Sequence, residues 1–299
     1  QMTPSHAKMC YVYEKNGTKY LDLYGGHAVI SIGHSHPKYV KALTNQLNNI
    51  GFYSNYIINE LQLSVANEIK IQSNCNDYNL FMTNSGAESN ENALQVASFY
   101  TKKSRIIAFK NSFHGRSNAA LSITDNHNIK SKLNEEINVT FLDFNDKKNF
   151  KKEISKGDVC SVIFESIQGV GGLDEPETEF VKYISKQCKK YNTCLIADEV
   201  QSGFGRTGDF FAFQKHDIEP DIICIAKGMG NGFPVGGILI KDHIKSNYGM
   251  LGTTFGGNHL ACTAVLAVLN TIKNENLLQN SKSLENYFRE KISLIKSVK

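Results

Sequence analysis

The chain has 299 residues, 41% hydrophobic and 21% charged, enough for a large domain with part of a second; this composition excludes a disordered chain. Lys and Arg number 33 against 29 Asp and Glu, and the resulting net charge of +4, spread along the sequence, excludes an extended nucleic-acid footprint. Seven cysteines without a Cys-x-x-Cys pair, no apolar run near the ~18 residues of a membrane span, and a start (Gln1 to Cys10) without signal-peptide features lead us to expect a cytoplasmic protein. Free thiols, no membrane contact and no metal go with that expectation.

In chain order, Tyr11-Val12-Tyr13 and Tyr20 to Leu23 flank an Asn16-Gly17 pair and predict a hairpin with a tight turn. A helical pattern follows over 37–47. Thr83-Asn84-Ser85-Gly86-Ala87-Glu88 then opens a second helical pattern that runs through Ala93, Leu94 and Ala97. Beyond it, near-continuous runs of Ile, Val, Leu, Phe and Cys predict strands over 105–109, 139–144, 159–165, 194–200, 221–226 and 236–241. Such runs suit strands covered on both faces. The stretch 179–191 is an amphipathic helix with Phe180, Ile184 and Cys188 on one face, and Lys147, Lys148, Lys151 and Lys152 mark a solvated helix face. Helices are also predicted over 259–272 and 284–295. Strand–helix–strand alternation makes this an α/β chain with a mainly parallel sheet.

The strand ending Leu195-Ile196-Ala197-Asp198 places a carboxylate at the carboxyl edge of the sheet, and the next strand ends Ile225-Ala226-Lys227 on the same rim. A lysine and a carboxylate there suit a Schiff-base cofactor with a protonated pyridine nitrogen. On these two positions alone an Asp–Lys ion pair is the simpler account. Ser85-Gly86 at a helix start can present free N–H groups to a phosphate, though Ser85 is equally an ordinary N-cap. Phe113-His114-Gly115-Arg116 offers an aromatic face and a guanidinium for a carboxylate, and alone it fits any surface loop. Gly228-Met229-Gly230-Asn231-Gly232 follows the lysine instead of opening a βαβ unit, so a dinucleotide loop is rejected.

In this order and spacing the segments resemble one family, the class III (ornithine/acetylornithine-type) aminotransferases of pyridoxal-phosphate fold type I. The resemblance runs from about position 11 to 278. It rests on Tyr20-Leu21-Asp22 with Gly33-His34-Ser35-His36-Pro37, Asn84 to Glu88, Phe113 to Arg116 and Glu165-Ser166-Ile167-Gln168-Gly169. It continues through Asp198 to Gln201 with Gly203-Phe204-Gly205-Arg206-Thr207-Gly208, Ala226-Lys227-Gly228, and Gly252-Thr253-Thr254-Phe255-Gly256-Gly257-Asn258.

The fold implied is α/β, a mainly parallel central sheet with helices on both faces plus a smaller α+β domain. The expected division is 1–50 as an N-terminal part of the small domain, 51–270 as the cofactor domain and 271–299 as the start of the rest. The family pattern continues on the order of 80–100 residues past position 299, so that small domain is expected to be incomplete here. The resemblance also implies pyridoxal 5′-phosphate, with Lys227 as its Schiff-base lysine and general base and acid, and Asp198 on the pyridine nitrogen. Gln201 would bond the phenolic oxygen and Phe113 stack on the ring, with His114 beside it. Ser85, Gly86 and Ala87 would hold the phosphate. Many relatives have Thr at the Ala87 position, which implies one hydroxyl contact fewer. Thr254 is implied to reach the phosphate of a neighbouring subunit, with Thr253 near substrate, which makes a homodimer with shared active sites. Arg116 is the implied ligand of the substrate α-carboxylate, Glu165 orders the pocket around Gln201, and His27 either lines the entrance or packs.

The activity implied moves the distal amino group of N-acetylornithine, or another N-acyl-ornithine, to 2-oxoglutarate to give glutamate, as in arginine biosynthesis. Ornithine aminotransferase, 4-aminobutyrate aminotransferase and a truncated, non-catalytic cofactor-binding homologue are the alternatives. Val170 stands where most relatives carry a glutamate, and a neutral wall there is expected to admit N-succinylornithine as readily as N-acetylornithine.

Overall fold

The computed structural model describes residues 2–134 and 136–295; the last four positions of the expected 271–299 segment lie outside the described residues. Strands β1 (Pro4–Lys8), β2 (Tyr11–Glu14) and β3 (Lys19–Leu21) form an antiparallel three-stranded sheet. The Asn16-Gly17 turn closes it, with Gly17 at φ +86, a conformation open to glycine at no steric cost. β1 was not expected; its sequence, Pro-Ser-His-Ala-Lys, has no apolar alternation to announce it.

Helix Pro37–Asn49 starts on a proline, and helix Glu60–Ser73 is capped by the Asn59 side chain. Strand β4 (Tyr78–Thr83) then runs into helix Gly86–Thr101. Next come β5 (Arg105–Phe109), β6 (Val139–Leu142), β7 (Val159–Glu165), β8 (Cys194–Asp198), β9 (Ile222–Ile225) and β10 (Gly236–Lys241). These make one seven-stranded sheet in the order β4-β10-β9-β8-β7-β5-β6. The ladders from β6 to β9 are parallel, and β10 is antiparallel to both β9 and β4, so the sheet is mixed at one edge. β4 was not anticipated because Asn79 interrupts its apolar run.

Every residue of β5, β7, β8 and β9 is buried, as parallel strands covered by helices require. Alternate side chains feed two cores. Ile107, Phe109, Val162, Phe164, Leu195 and Ile223 face one layer, and Ile106, Ala108, Ile163, Ile196 and Cys224 face helix Gly86–Thr101 through Ala93, Leu94 and Ala97. Glu165 pairs with Asp198 and Asp198 with Cys224 across the central ladders, so the functional ends of β7, β8 and β9 share one rim.

The last two helices are His259–Asn274 and Leu277–Ser293. The latter starts seven residues before the expected 284, because Leu277 and Leu278 pack on the core while Gln279, Asn280 and Ser281 break the apolar period. No helix among the described residues is long and apolar enough to cross a membrane. All seven cysteines are free thiols, six of them buried.

Candidate active site

A cavity of about 280 Å³ opens at the carboxyl rim of the sheet, between the ends of β4, β7, β8 and β9 and the start of helix Gly86–Thr101. Open α/β sheets place ligands at this edge. The helix is N-capped by Ser85, whose Oγ accepts from Glu88 N at 3.2 Å. The N–H groups of Gly86 and Ala87, first in the helix, have no acceptor within it and carry the positive end of its dipole. A Cβ on Gly86 would fall 2.6 Å from Val200 Cγ1, so only glycine lets this terminus close on the cavity wall.

Asp198 sits on the floor in a fixed orientation. Its Oδ1 accepts from Val200 N at 3.0 Å, and its Oδ2 accepts from Asn90 Nδ2 at 2.8 Å and pairs with His114 Nδ1 at 2.6 Å. Burial of the imidazole depresses the His114 pKa, but the hydrogen bond and charge of Asp198, aided by Glu165, outweigh it and raise the pKa overall. Asn90 also donates to His114 O at 2.7 Å, locking the pair.

Lys227 follows β9 with its backbone at φ +46, in the left-handed region. In the amide orientation its neighbours dictate, Gln201 Oε1 accepts from Lys227 Nζ at 2.9 Å while Gln201 Nε2 donates to Gly169 O at 3.3 Å. Burial lowers the pKa of the Lys227 amine, against the pull of Asp198 and Glu165. Glu165, buried at the end of β7, accepts from Phe113 N at 2.9 Å and Gly169 N at 3.0 Å; burial raises its carboxyl pKa.

Ser85, Gly86, Ala87, Phe113, His114, Glu165, Asp198, Gln201 and Lys227 therefore line one cavity, and Val170 lines it too. Arg116, Thr253 and Thr254 do not. Arg116 is exposed with its guanidinium 6.0 Å from the centre of the Phe113 ring. Thr253 Oγ1 accepts from Gly256 N at 3.0 Å and Asn84 Nδ2 at 3.5 Å, and Thr254 is exposed on the same turn. His27 bonds the Tyr24 hydroxyl beside the cavity wall at Val29. Asn90, Val200 and the segment Gly232 to Val235 were missed by the sequence reading. Asn90 could have been found, since it lies one helical turn after Gly86.

A helix terminus for an anion, a carboxylate on the floor, a lysine on the rim whose pKa burial lowers and an apolar wall of Phe113, Val200 and Ala226 fit pyridoxal 5′-phosphate. The arrangement defines a pyridoxal-phosphate-dependent enzyme. Residues 1–299 match the family Aminotransferase class-III. The acetylornithine aminotransferase of Archaeoglobus fulgidus is 39% identical over 286 residues, covering 95% of this chain and 76% of that protein. The Bacillus subtilis enzyme of the same name is 38% identical over 289 residues, covering 96% and 74%. An ornithine aminotransferase from Toxoplasma gondii, with PLP at partial occupancy in its active site, superposes with a TM-score of 0.87 at 26% identity, over 97% of this chain and 71% of that one. An S-selective transaminase from Arthrobacter sp. shares the fold at a TM-score of 0.91 and 24% identity, over 99% and 72%. The chain belongs to the class-III aminotransferases, and its cofactor is pyridoxal 5′-phosphate.

Proposed function

We propose that this enzyme moves the distal amino group of N-acetylornithine, or another N-acyl-ornithine, to 2-oxoglutarate, returning glutamate in arginine biosynthesis. The observation that carries the reading is the 38–39% identity, along nearly the whole chain, to proteins named acetylornithine aminotransferase.

Bound in the cavity, the cofactor supplies an aldehyde that takes up amino groups and a ring that draws electrons from the reacting carbon. The protein's part is to bind, orient and move protons. The free N–H groups of Gly86 and Ala87 hold the phosphate, and Phe113 covers the ring. Asp198 keeps a proton on the ring nitrogen; Asn90 and His114 hold its carboxylate in one orientation. Gln201 sets the Lys227 amine at 2.9 Å and offers its amide to the phenolic oxygen. The Lys227 amine, its pKa lowered by burial, would serve as the base that takes a proton from the substrate carbon and as the acid that gives one back two atoms along, on the far side of the nitrogen. The exposed Arg116 guanidinium suits bidentate capture of the substrate α-carboxylate.

Tyr56 and Ile58 are 92% and 85% exposed in an apolar segment that also exposes Phe52, Tyr53 and Ile57, and Phe52 packs on the exposed Phe255, which makes an apolar patch. Asn55 Nδ2 ties that patch to the turn carrying Thr254, donating to Thr253 O and Gly256 O at 3.1 Å. A patch of this kind supports a two-fold dimer in which Thr254 of one chain reaches the phosphate end of the other's cavity. The buried thiols suit a reducing cytoplasm.

The test is a single-turnover spectrum of cofactor-loaded protein with N-acetylornithine, N-succinylornithine, ornithine and 4-aminobutyrate. Conversion of the cofactor band by the acyl-ornithines alone is expected, with Val170→Glu shifting preference away from the succinyl donor. Conversion by ornithine or 4-aminobutyrate without the acyl-ornithines overturns the proposal.

A further inference from the structure

The loop behind Lys227 carries two residues in the left-handed region, Lys227 itself at φ +46 and Asn231 at φ +48. Such backbone persists where neighbouring groups hold it. Within the loop, Met229 N donates to Ala226 O and Gly230 N to Lys227 O, both at 3.0 Å, making one tight turn around the lysine. What surrounds that turn comes from some 200 residues earlier in the chain. Ser31 Oγ donates to Gly228 O at 2.7 Å and the Tyr39 hydroxyl donates to Gly230 O at 2.7 Å. The Asn231 side chain completes the tie. Its Oδ1 accepts from Ser31 N at 2.9 Å and Ile32 N at 3.1 Å, while its Nδ2 donates to Gly33 O at 3.0 Å. The amide thus bonds three consecutive residues as a neighbouring strand would, and only 6% of Asn231 is exposed.

The far side of this clamp is also part of the cavity. Val29, two residues before Ser31, lines the same cavity as Lys227. Arg206 Nη2 fixes the carbonyls that flank it, Ala28 O at 3.1 Å and Ile30 O at 2.9 Å. Lysine loop and cavity wall are therefore joined through the Asn231 amide, and displacement of one carries the other.

We propose that Asn231 is a positioning residue: by locking 31–33 onto the loop, its amide holds the left-handed backbone of Lys227 and so aims the lysine amine at the cavity. The inference rests on Lys227 being the cofactor lysine. Asn231 does not line the cavity; it acts through the lysine.

Asn231→Gly isolates the side chain, because glycine accepts φ +48 and removes only the three hydrogen bonds. With purified full-chain protein loaded with cofactor, kcat is expected to fall about tenfold, while KM for the amino donor stays within about twofold. The visible band of lysine-linked cofactor is expected to titrate at higher pH, because a less constrained, better solvated linking nitrogen would keep its proton to higher pH. Wild-type kcat and an unchanged titration midpoint in a folded Asn231→Gly protein overturn the proposal. If that variant does not fold, Asn231→Asp carries the test. It keeps an acceptor for Ser31 N and Ile32 N but loses the donation to Gly33 O, and is expected to lower kcat about threefold with the same direction of titration shift; wild-type values overturn the proposal. A wild-type protein that takes up cofactor without a titrating lysine-linked band, and that matches Lys227→Ala, instead overturns the assignment of Lys227, an outcome distinct from the first.

Discussion

Glu199 lies between Asp198 and Val200 in sequence, yet its side chain is wholly buried and serves the framework behind the cavity. Oε1 accepts from Ser166 Oγ at 3.1 Å and Phe213 N at 2.9 Å; Oε2 accepts from Ser202 Oγ at 2.8 Å and Ala212 N at 2.9 Å. These donors belong to the loops after β7 and β8, which carry Gly169 and Gln201. Burial outweighs the donors and pushes the carboxyl from 4.5 up to about 7. A carboxyl raised in this way holds a proton in the folded protein that the unfolded chain has released. Its contribution is fully present below pH ~4.5 and is lost as pH rises through ~7. At about 1.4 kcal/mol per pH unit, the loss is at most about 3 kcal/mol. His216, which burial lowers to about 4, acts in the opposite sense: the unfolded chain takes up its proton first, so its term strengthens as pH rises. The wild type alone therefore mixes signs, and the informative quantity is a difference. Chemical denaturation of wild type and Glu199→Gln at pH 5 and pH 8 is expected to show a smaller loss across that range in the variant. Equal losses in both proteins would remove Glu199 as the source.

At the scale of elements, the loop from Ser166 to Leu173 cannot shift to relieve a clash. Glu165 holds Gly169 N at 3.0 Å, Gln168 Nε2 donates to Lys110 O at 2.7 Å, and Gln168 N donates to Asp174 O at 3.0 Å. A Cβ on Gly169 would lie 1.6 Å from the Gln201 amide, so the mobile partner, Gln201, has to leave the lysine. Gly169→Ala is expected to lower kcat/KM tenfold or more, and in a Gln201→Ala background, where the clash is gone, to cost little further. Elements such as β7 and β8 were legible because a strand buried on both faces writes an unbroken apolar run, and the run's polar end marks the rim; that is how Asp198 and Lys227 were found. Ser85 and Gly86 were legible for a similar reason, since a helix start has its own residue preferences. Asn90, Asn231 and Glu199 were not. Each acts through hydrogen bonds to chain distant in sequence, and a buried amide or carboxylate reads locally as one more polar residue in a helix or loop. Arg116 was singled out as a guanidinium beside an aromatic face, and its role, like Thr253 and Thr254, came through the family pattern; one chain leaves all three outside its cavity.

For the whole molecule, the cavity and the apolar patch make one problem. Tyr56, Ile58 and Phe255 expose 92%, 85% and 61% of their surface, and Phe52 packs on Phe255 at 5.5 Å between ring centres. Exposed apolar area of this kind is costly in water at about 25 cal/mol per Å², so a second copy covering it would be stabilised by burial without any polar contact. The same turn carries Thr254, so covering the patch and completing the phosphate site would be one event. A charge in the patch then separates the proposal from a merely sticky surface. Ile58→Glu places an unpaired carboxylate where the partner would sit, at a residue that does not line the chain's own cavity. Sedimentation of the cofactor-loaded protein is expected to give a dimer for wild type and monomers for Ile58→Glu. Cofactor affinity is expected to fall about tenfold with dissociation, because the monomer lacks the partner's hydroxyl at the phosphate. Thr254→Ala should reproduce the loss of affinity while leaving the dimer intact. A monomeric Ile58→Glu that binds cofactor as tightly as wild type would mean that each chain completes its own phosphate site, and the shared-site proposal would fall.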